Sequence, residues 1–326
     1  MMLTACGILS PYDSCSFSRV YLGAGCDRLI GFSNISKANA TASQKFHIPS
    51  DRLTFDFKGN HSRFISITIA QIEKAAIVPT NRIRVIDLET AGNGPNDVCE
   101  IGWQDVIRVD EGEWVVGDER GARFVNPGRA ISPDTMAIHH IRDDDVANAP
   151  FWKQVAPGIL QPEGGVQALA AHRAAFEQRY CRPRLTGGAS WICTWKCALR
   201  IWPDLPRFSN QMLRYQRMPE GLIHDIGLPA HRAMPDAYVT AHHLRDLLNA
   251  SSIEQLLKWS DEPGLLPRVP SGPDRGKSWD RLSVAVLQEF LGDREADIRF
   301  SAQTELTRRG YACDSNAVEP AQRSLI

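Results

Sequence analysis

The 326-residue sequence predicts an α/β protein, a mixed sheet flanked by helices, with a small helical module behind it. Three observations point there. From Arg82 onward, short β-branched runs come first and strands then alternate with helical stretches, the order of a mixed sheet covered by helices. Prolines 263, 267, 270 and 273, with Gly264 and Gly272 among them, mark a linker, and two amphipathic stretches follow it. The composition, 43% hydrophobic and 23% charged, is that of an ordinary globular chain and excludes wholesale disorder, collagen and coiled coil.

The elements follow in order. Residues 1–80 are sparse in charge and lack a sustained helical period, so they are expected to form a poorly ordered or irregular N-terminal extension. Its best signal is a hairpin, Leu53–Phe57 and Phe64–Ile69 about a Gly59-Asn60 turn. Next come a buried strand over Ile83–Leu88, a second over Val98–Asp110 and a short third over Glu113–Gly117, after the turn Asp110-Glu111-Gly112. Pro133–His140 reads as a short helix, and Ala168–Ala171 as a small-residue strand running into a helix over Ala174–Tyr180. Trp191–Cys193 is a fifth strand, followed by helices near Thr194–Trp202, Ser209–Arg217 and Asp236–Asn249. Beyond the linker, Trp279–Leu291 and Asp297–Arg308 form the terminal pair. The expected division is an extension at 1–80, a main domain at 81–260, and a linker with its module at 261–326.

With 37 basic and 38 acidic side chains the formal charge is -1, so any surface for a polyanion must be local. Eight cysteines at irregular intervals contain no C-x-x-C pair, which argues against a zinc ribbon and a disulfide scaffold and for reduced thiols in a cytoplasmic protein. No apolar run approaches the ~20 residues of a membrane span. The opening Met1 to Cys6 resembles a lipoprotein box but lacks the basic and apolar regions of an export signal, and reads as coincidence.

The sharpest local feature is Val85-Ile-Asp87-Leu-Glu89-Thr90. Alternate residues of a strand share a face, so Asp87 and Glu89 project side by side from the end of an apolar strand. Adjacent carboxylates repel unless a cation lies between them, and hard oxygen ligands suit Mg²⁺ or Mn²⁺. Two unremarkable acids at a solvent-facing strand end are the competing reading of this motif alone. Glu177, in Ala171-His172-Arg173-Ala-Ala-Phe176-Glu177, lies in the first turns of the next helix and by itself reads as a solvated acid. In His231-Arg232-Ala-Met-Pro235-Asp236, the proline suits a first helical turn, which puts Asp236 at a helix start and His231 on the loop before it. His139, His140, His242 and His243 are assigned no role.

Between Arg173 and Arg217, nine basic residues (Arg173, Arg179, Arg182, Arg184, Lys196, Arg200, Arg207, Arg214 and Arg217) stand against two acids, a candidate phosphate-tracking surface. Trp191, Trp195, Trp202, Phe208 and Tyr215 are interleaved and offer stacking faces to unpaired bases. The plainer alternative is core rings, above all Trp191 and Trp202, beneath a solvated face.

In this order the three motifs resemble the DEDD exonucleases of the subtype with a histidine in its last motif, the group of polymerase III epsilon, RNase T, oligoribonuclease and exonuclease X. Asn126 to Pro133, Ile138 to Val146 and Cys193 to Pro203 resemble further family segments, and the likeness spans roughly residues 82–250. The resemblance implies a ribonuclease H-like five-stranded sheet and metal-dependent removal of nucleotides from a 3′ end. It implies that Asp87, Glu89, Glu177 and Asp236 hold two Mg²⁺ or Mn²⁺ ions and that His231 takes the proton of the attacking water. Thr90, His172, Arg173, Phe176, Lys196 and Arg232, in or beside the family's motifs, are the candidates for touching nucleic acid. Two cations activate water, steady the leaving oxygen and neutralise developing charge, and histidine is the side chain that ordinarily changes charge near neutral pH.

Two positions depart from the family: Glu177 stands where aspartate is usual and Arg173 where asparagine is usual. The expectation is a 3′-to-5′ exonuclease of DNA, single-stranded ends preferred, in DNA repair. The alternatives are an exoribonuclease, or a catalytically weakened nucleic-acid-binding or polymerase-associated module. The expected partners are DNA or RNA 3′ ends and a polymerase or repair complex, with no membrane and the oligomeric state open. The tail resembles the module following the nuclease in some exonuclease X relatives; Arg275 and Lys277 are candidates there for backbone contact, and a helix pair packed on the nuclease is the plainer expectation.

Overall fold

The structure, a computed structural model, describes residues 17–21, 27–31, 54–58, 64–68, 81–109 and 112–311. The chain divides into two units, 1–79 and 80–326. In the first, β1 (Phe17–Tyr21) pairs antiparallel with β2 (Asp27–Gly31), and β3 (Thr54–Lys58) with β4 (Phe64–Thr68). The second pair is the hairpin expected from alternation. Its turn and the remainder of the expected extension lie outside the described residues.

The second unit is built on a five-stranded sheet in the order β7-β6-β5-β8-β9. These strands are β5 (Arg82–Thr90), β6 (Val98–Arg108), β7 (Trp114–Phe124), β8 (Ala168–Ala171) and β9 (Trp191–Cys193). β5, β8 and β9 run parallel, and β6 and β7 add antiparallel. The mixed sheet with its flanking helices is the ribonuclease H-like arrangement. β7 is twice the length read from Glu113–Gly117, because its second half, Asp118 to Arg123, is mostly exposed and charged. Charged residues suit an edge strand but hide the alternation that marks a strand.

The helices are α1 (Pro133–His139), α2 (Asp143–Val146), α3 (Trp152–Leu160), α4 (Pro183–Thr186), α5 (Thr194–Ile201), α6 (Asn210–Arg217), α7 (Ala233–Ala250), α8 (Ile253–Asp261), α9 (Val284–Phe290) and α10 (Ala296–Arg308). Ile83 and Val85 of β5 pack with Ala237, Ala241 and Leu244 of α7, whereas Ile86 and Leu88 point the other way, onto Trp152, Ala156 and Leu160 of α3. The central strand is thus apolar on both faces, and each fully buried aliphatic side chain is worth roughly 1.5–3 kcal/mol. α3 went unseen in the sequence because it carries Pro157.

Three further expectations need correction. The helix read over Ala174–Tyr180 is a series of turns ending in a 3-10 turn, Glu177–Arg179. The proline-rich stretch read as a linker is packed: Gly264 donates its N–H to Asp297 Oδ1 at 2.7 Å, Leu266 to Ser301 Oγ at 2.8 Å, and Val269 is buried. Beyond it, Trp279–Arg281 is a 3-10 turn and α9 starts afresh at Ser283, whose hydroxyl accepts the N–H of Val286. Val269, Trp279, Leu282, Leu287, Ile298 and Leu306 form the core of this module.

Candidate active site

Asp87 and Glu89 share the face of β5 that carries Ile83 and Val85, so they project toward α7. Their cross-strand partners on β6 are Gly102 and Glu100 respectively. A Cβ at Gly102 would run into the backbone of Ala233 and Met234. Glycine at this point lets the first turn of α7 lie directly on the sheet beside Asp87. Asp236 belongs to that turn, and carboxylate oxygens of Asp87, Glu89 and Asp236 converge within 4.8 Å of one another.

The approach to α7 is tied down on both sides. The backbone N–H of His231 donates to Asp236 Oδ2 at 2.6 Å, with His231 itself in the left-handed region at φ 60°. Glu100, 3% exposed, accepts the Ala233 N–H at 3.0 Å and both ends of the Arg232 guanidinium at 3.0 and 2.6 Å. Oδ1 of Asp236 accepts from Gln211 Nε2 at 2.7 Å and from Asn210 Nδ2 at 3.3 Å. The sequence reading passed over Glu100, Gly102, Asn210 and Gln211. An acid in the otherwise apolar run Val98-Cys99-Glu100-Ile101 was the one available signal.

Glu177 reaches the site from the turn after β8. It stands outside the 4.8 Å set but is almost fully buried, and its Oε2 has no hydrogen-bond partner among the described residues. Burial, then the charges of Asp236, Glu89, Glu177 and Glu100, push Asp87 well above the usual carboxylate range. Burial and then Asp236 push Glu89 up to about 8, and burial with the charge of Glu89 pushes Glu177 up to about 8. A pocket of acids that resist ionising together, with one buried oxygen unpaired, has the donor set of a hard divalent cation. The residues fit Mg²⁺ or Mn²⁺.

Of the expected nucleic-acid contacts, several are spent inside the protein. His172 engages Thr194 Oγ1 at 3.0 Å and the Phe208 carbonyl at 2.8 Å, and burial lowers its pKa to about 4. Lys196 donates to the Ser260 carbonyl at 2.6 Å, and Arg232 is held by Glu100. Thr90 is 9% exposed, and its carbonyl faces His139 Nε2 at 3.2 Å. Phe176 is half-buried edge-to-face against Tyr180. Arg173 is exposed, and its guanidinium lies 4.1 Å from the centre of the Trp195 ring. The basic stretch thins likewise: Arg214 is buried, Arg200 pairs with Glu262, and Arg217 pairs with Asp246 and stacks on Trp202. Arg173, Arg179, Arg182, Arg184 and Arg207 remain exposed.

The Exonuclease family profile of the RNase T type matches residues 85–244. Exodeoxyribonuclease 10 of Escherichia coli (strain K12) is 36% identical over 198 residues, which cover 60% of this chain and 83% of that protein. The DNA polymerase III subunit epsilon of Treponema pallidum is 29% identical over 160 residues, 42% of this chain and 71% of that one. The solved structure of Exonuclease X in complex with 5′ overhanging duplex DNA has 33% identity and a TM-score of 0.43, covering 55% of this chain and 99% of that chain. On the strength of the E. coli relative, this chain belongs to the DEDD family of 3′-to-5′ exonucleases, hydrolases of nucleic acids that work with divalent metal ions.

Proposed function

We propose that the protein removes nucleotides one at a time from single-stranded 3′ ends of DNA, with residues 81–260 as the exonuclease part. The observation that carries this is the convergence of Asp87, Glu89 and Asp236 beside Glu177, whose buried oxygen has no partner among the described residues. These four acids would hold two Mg²⁺ or Mn²⁺ ions. When bound, such ions supply charge neutralisation at the phosphodiester and a more acidic water.

The chain's own part is to position and to move a proton. His231, exposed on its loop, accepts the proton as the water oxygen bonds to phosphorus; the bond from phosphorus to the 3′ oxygen breaks, and that oxygen is protonated from solvent. The products are a nucleoside 5′-monophosphate and a strand one nucleotide shorter with a free 3′ hydroxyl. Arg173, two residues beyond β8 and stacked on Trp195, would be a cation that meets the backbone near the reacting end. That the E. coli relative is an exodeoxyribonuclease supports DNA as the substrate, and that the Treponema relative is a DNA polymerase III subunit supports a polymerase as a partner.

End-labelled single-stranded DNA and RNA, incubated with Mg²⁺, Mn²⁺ or EDTA and resolved on one gel, test the reading. Stepwise shortening of DNA that EDTA stops is expected. Preferential shortening of RNA makes the protein an exoribonuclease, and shortening of neither makes it a binding module.

A further inference from the structure

Arg214, which the charge count places on a nucleic-acid surface, is 2% exposed. A buried guanidinium needs acceptors, and those of Arg214 are uncharged. It donates to the carbonyls of Gly227 at 2.6 Å and His224 at 2.7 Å, and lies 3.1 Å from Nδ1 of His224. Both carbonyls belong to the 3-10 turn His224–Gly227, from which the chain runs directly to His231. A Cβ on Gly227 would stand 3.0 Å from Nη1 of Arg214 and 2.8 Å from the Val239 side chain, so glycine there keeps the space the guanidinium uses.

A second N–H of Nη1 turns toward Gln211, the residue that donates to Asp236. Nη1 of Arg214 lies 3.3 Å from Oε1 of Gln211, three residues back on the same face of α6. The other end of that amide, Nε2, donates to Asp236 Oδ1 at 2.7 Å. Reversing the amide would set its NH₂ against Arg214 and its oxygen against the carboxylate. The guanidinium therefore commits the donor end of Gln211 to Asp236.

We propose that Gln211 and Arg214 are positioning residues forming one relay: Arg214 orients Gln211 and anchors the His224–Gly227 turn, and Gln211 aims the Asp236 carboxylate. Metal affinity and the seating of the His231 loop are then set together from α6. The relay rests on the reading of Asp236 as a metal ligand and His231 as the base.

The test uses the full chain with Gln211→Met, which keeps length without the donor, and Gln211→Asn, which keeps the amide but shortens it. Mn²⁺ binding to the protein alone is followed by electron paramagnetic resonance, melting is measured in EDTA, and cleavage of labelled single-stranded DNA is measured across Mn²⁺ concentrations. Partners that orient a metal ligand typically change affinity about 10- to 100-fold when removed. Both variants are expected to lose Mn²⁺ affinity in that range at unchanged melting temperature, and saturating Mn²⁺ is expected to restore most of their turnover. Wild-type affinity in Gln211→Met overturns the relay, as does an affinity loss that tracks a lowered melting temperature.

Arg214→Lys keeps charge but not the fork. It is expected to stay slow at saturating Mn²⁺ because the turn before His231 is released, and wild-type turnover there overturns the anchoring role. Where Arg214→Lys does not fold, the Gln211 variants decide. Asp236→Ala separates the two levels: undiminished Mn²⁺ binding in it overturns the site assignment beneath the relay, whereas loss of binding there beside an unaffected Gln211→Met overturns the relay alone.

Discussion

The backbone N–H of His231 donates to Oδ2 of Asp236 at 2.6 Å, so the proposed base hangs from a proposed metal ligand. Replacing the imidazole leaves that peptide N–H in place, whereas replacing the carboxylate removes both a ligand and the tether. His231→Ala is therefore expected to slow turnover about 10²- to 10⁴-fold with Mn²⁺ binding and DNA affinity close to wild type. Asp236→Ala is expected to lose Mn²⁺ binding and turnover together. Titration with Mn²⁺ and single-turnover cleavage separate the two variants, and equal loss of Mn²⁺ binding in both contradicts the division of roles.

Retaining Glu177 is costly to the metal-free protein, since its buried Oε2 has no hydrogen-bond partner among the described residues. Glu177→Gln keeps the shape and removes a charge that burial and Glu89 disfavour. In EDTA the variant is expected to melt at a higher temperature than wild type, while cleavage with Mg²⁺ falls by at least about tenfold, the usual exchange of stability for function at such a site. Unaltered cleavage would remove Glu177 from the metal site and assign the departure from aspartate no consequence.

The same acids give the metal-free protein a distinctive response to pH. Glu89 and Glu177, raised to about 8, are held protonated by the fold, so their contribution is present below an ordinary pKa near 4.5 and is lost as pH rises through about 8. The buried histidines act with the opposite sign. His172 and His242, lowered by burial to about 4, and His243, lowered to about 3, contribute stability that is present above 6.5 and lost as pH falls. Of these groups, the carboxylates dominate the change between about pH 6.5 and 8. Melting in EDTA is expected to fall across that window, and Mg²⁺ or Mn²⁺ is expected to flatten the fall; a flat profile in EDTA would falsify the account of the acid cluster.

Local rules put Asp87 and Glu89 on one strand face and Asp236 at a helix start, but it was the resemblance of the three motifs to the exonuclease family that joined them into one expected site. Glu177 entered only through that resemblance, and its surroundings were misread, because a run of Ala, Phe and Glu looks helical whereas the chain there makes turns that end in the 3-10 turn Glu177–Arg179. Glu100 and Gly102 act through the pairing of β6 with β5, a register that no window of sequence displays. Arg214 shows the limit of counting charge: the count cannot tell whether a guanidinium meets solvent or the carbonyls of His224 and Gly227. The tail misled in the opposite direction, since four prolines describe a chain that cannot be helical but not whether it packs, and Gly264 packs against Trp195.

Glu100 and Gly102, the register partners of Glu89 and Asp87, are what seat α7 on the sheet, and they are separable by mutation. Glu100→Ala leaves the buried Ala233 N–H and the Arg232 guanidinium without their acceptor, a loss of roughly 2–4 kcal/mol for a pair that is only partly shielded from water. Glu100→Gln keeps one acceptor for the Ala233 N–H and gives up the charge, so a smaller loss of about 1–2 kcal/mol is expected. Gly102→Ala is different in kind. Its new methyl group meets the backbone of Ala233 and Met234 rather than the tip of a side chain, so the first turn of α7 must lift and carry Asp236 away from Asp87, at about 1–3 kcal/mol. Urea melts give the stabilities, and Mn²⁺ affinity reads the position of Asp236. Gly102→Ala is expected to lose more affinity for Mn²⁺ than Glu100→Gln at comparable stability, and the reverse order would mean that the charge on Glu100, not the close approach at Gly102, sets the distance between helix and sheet.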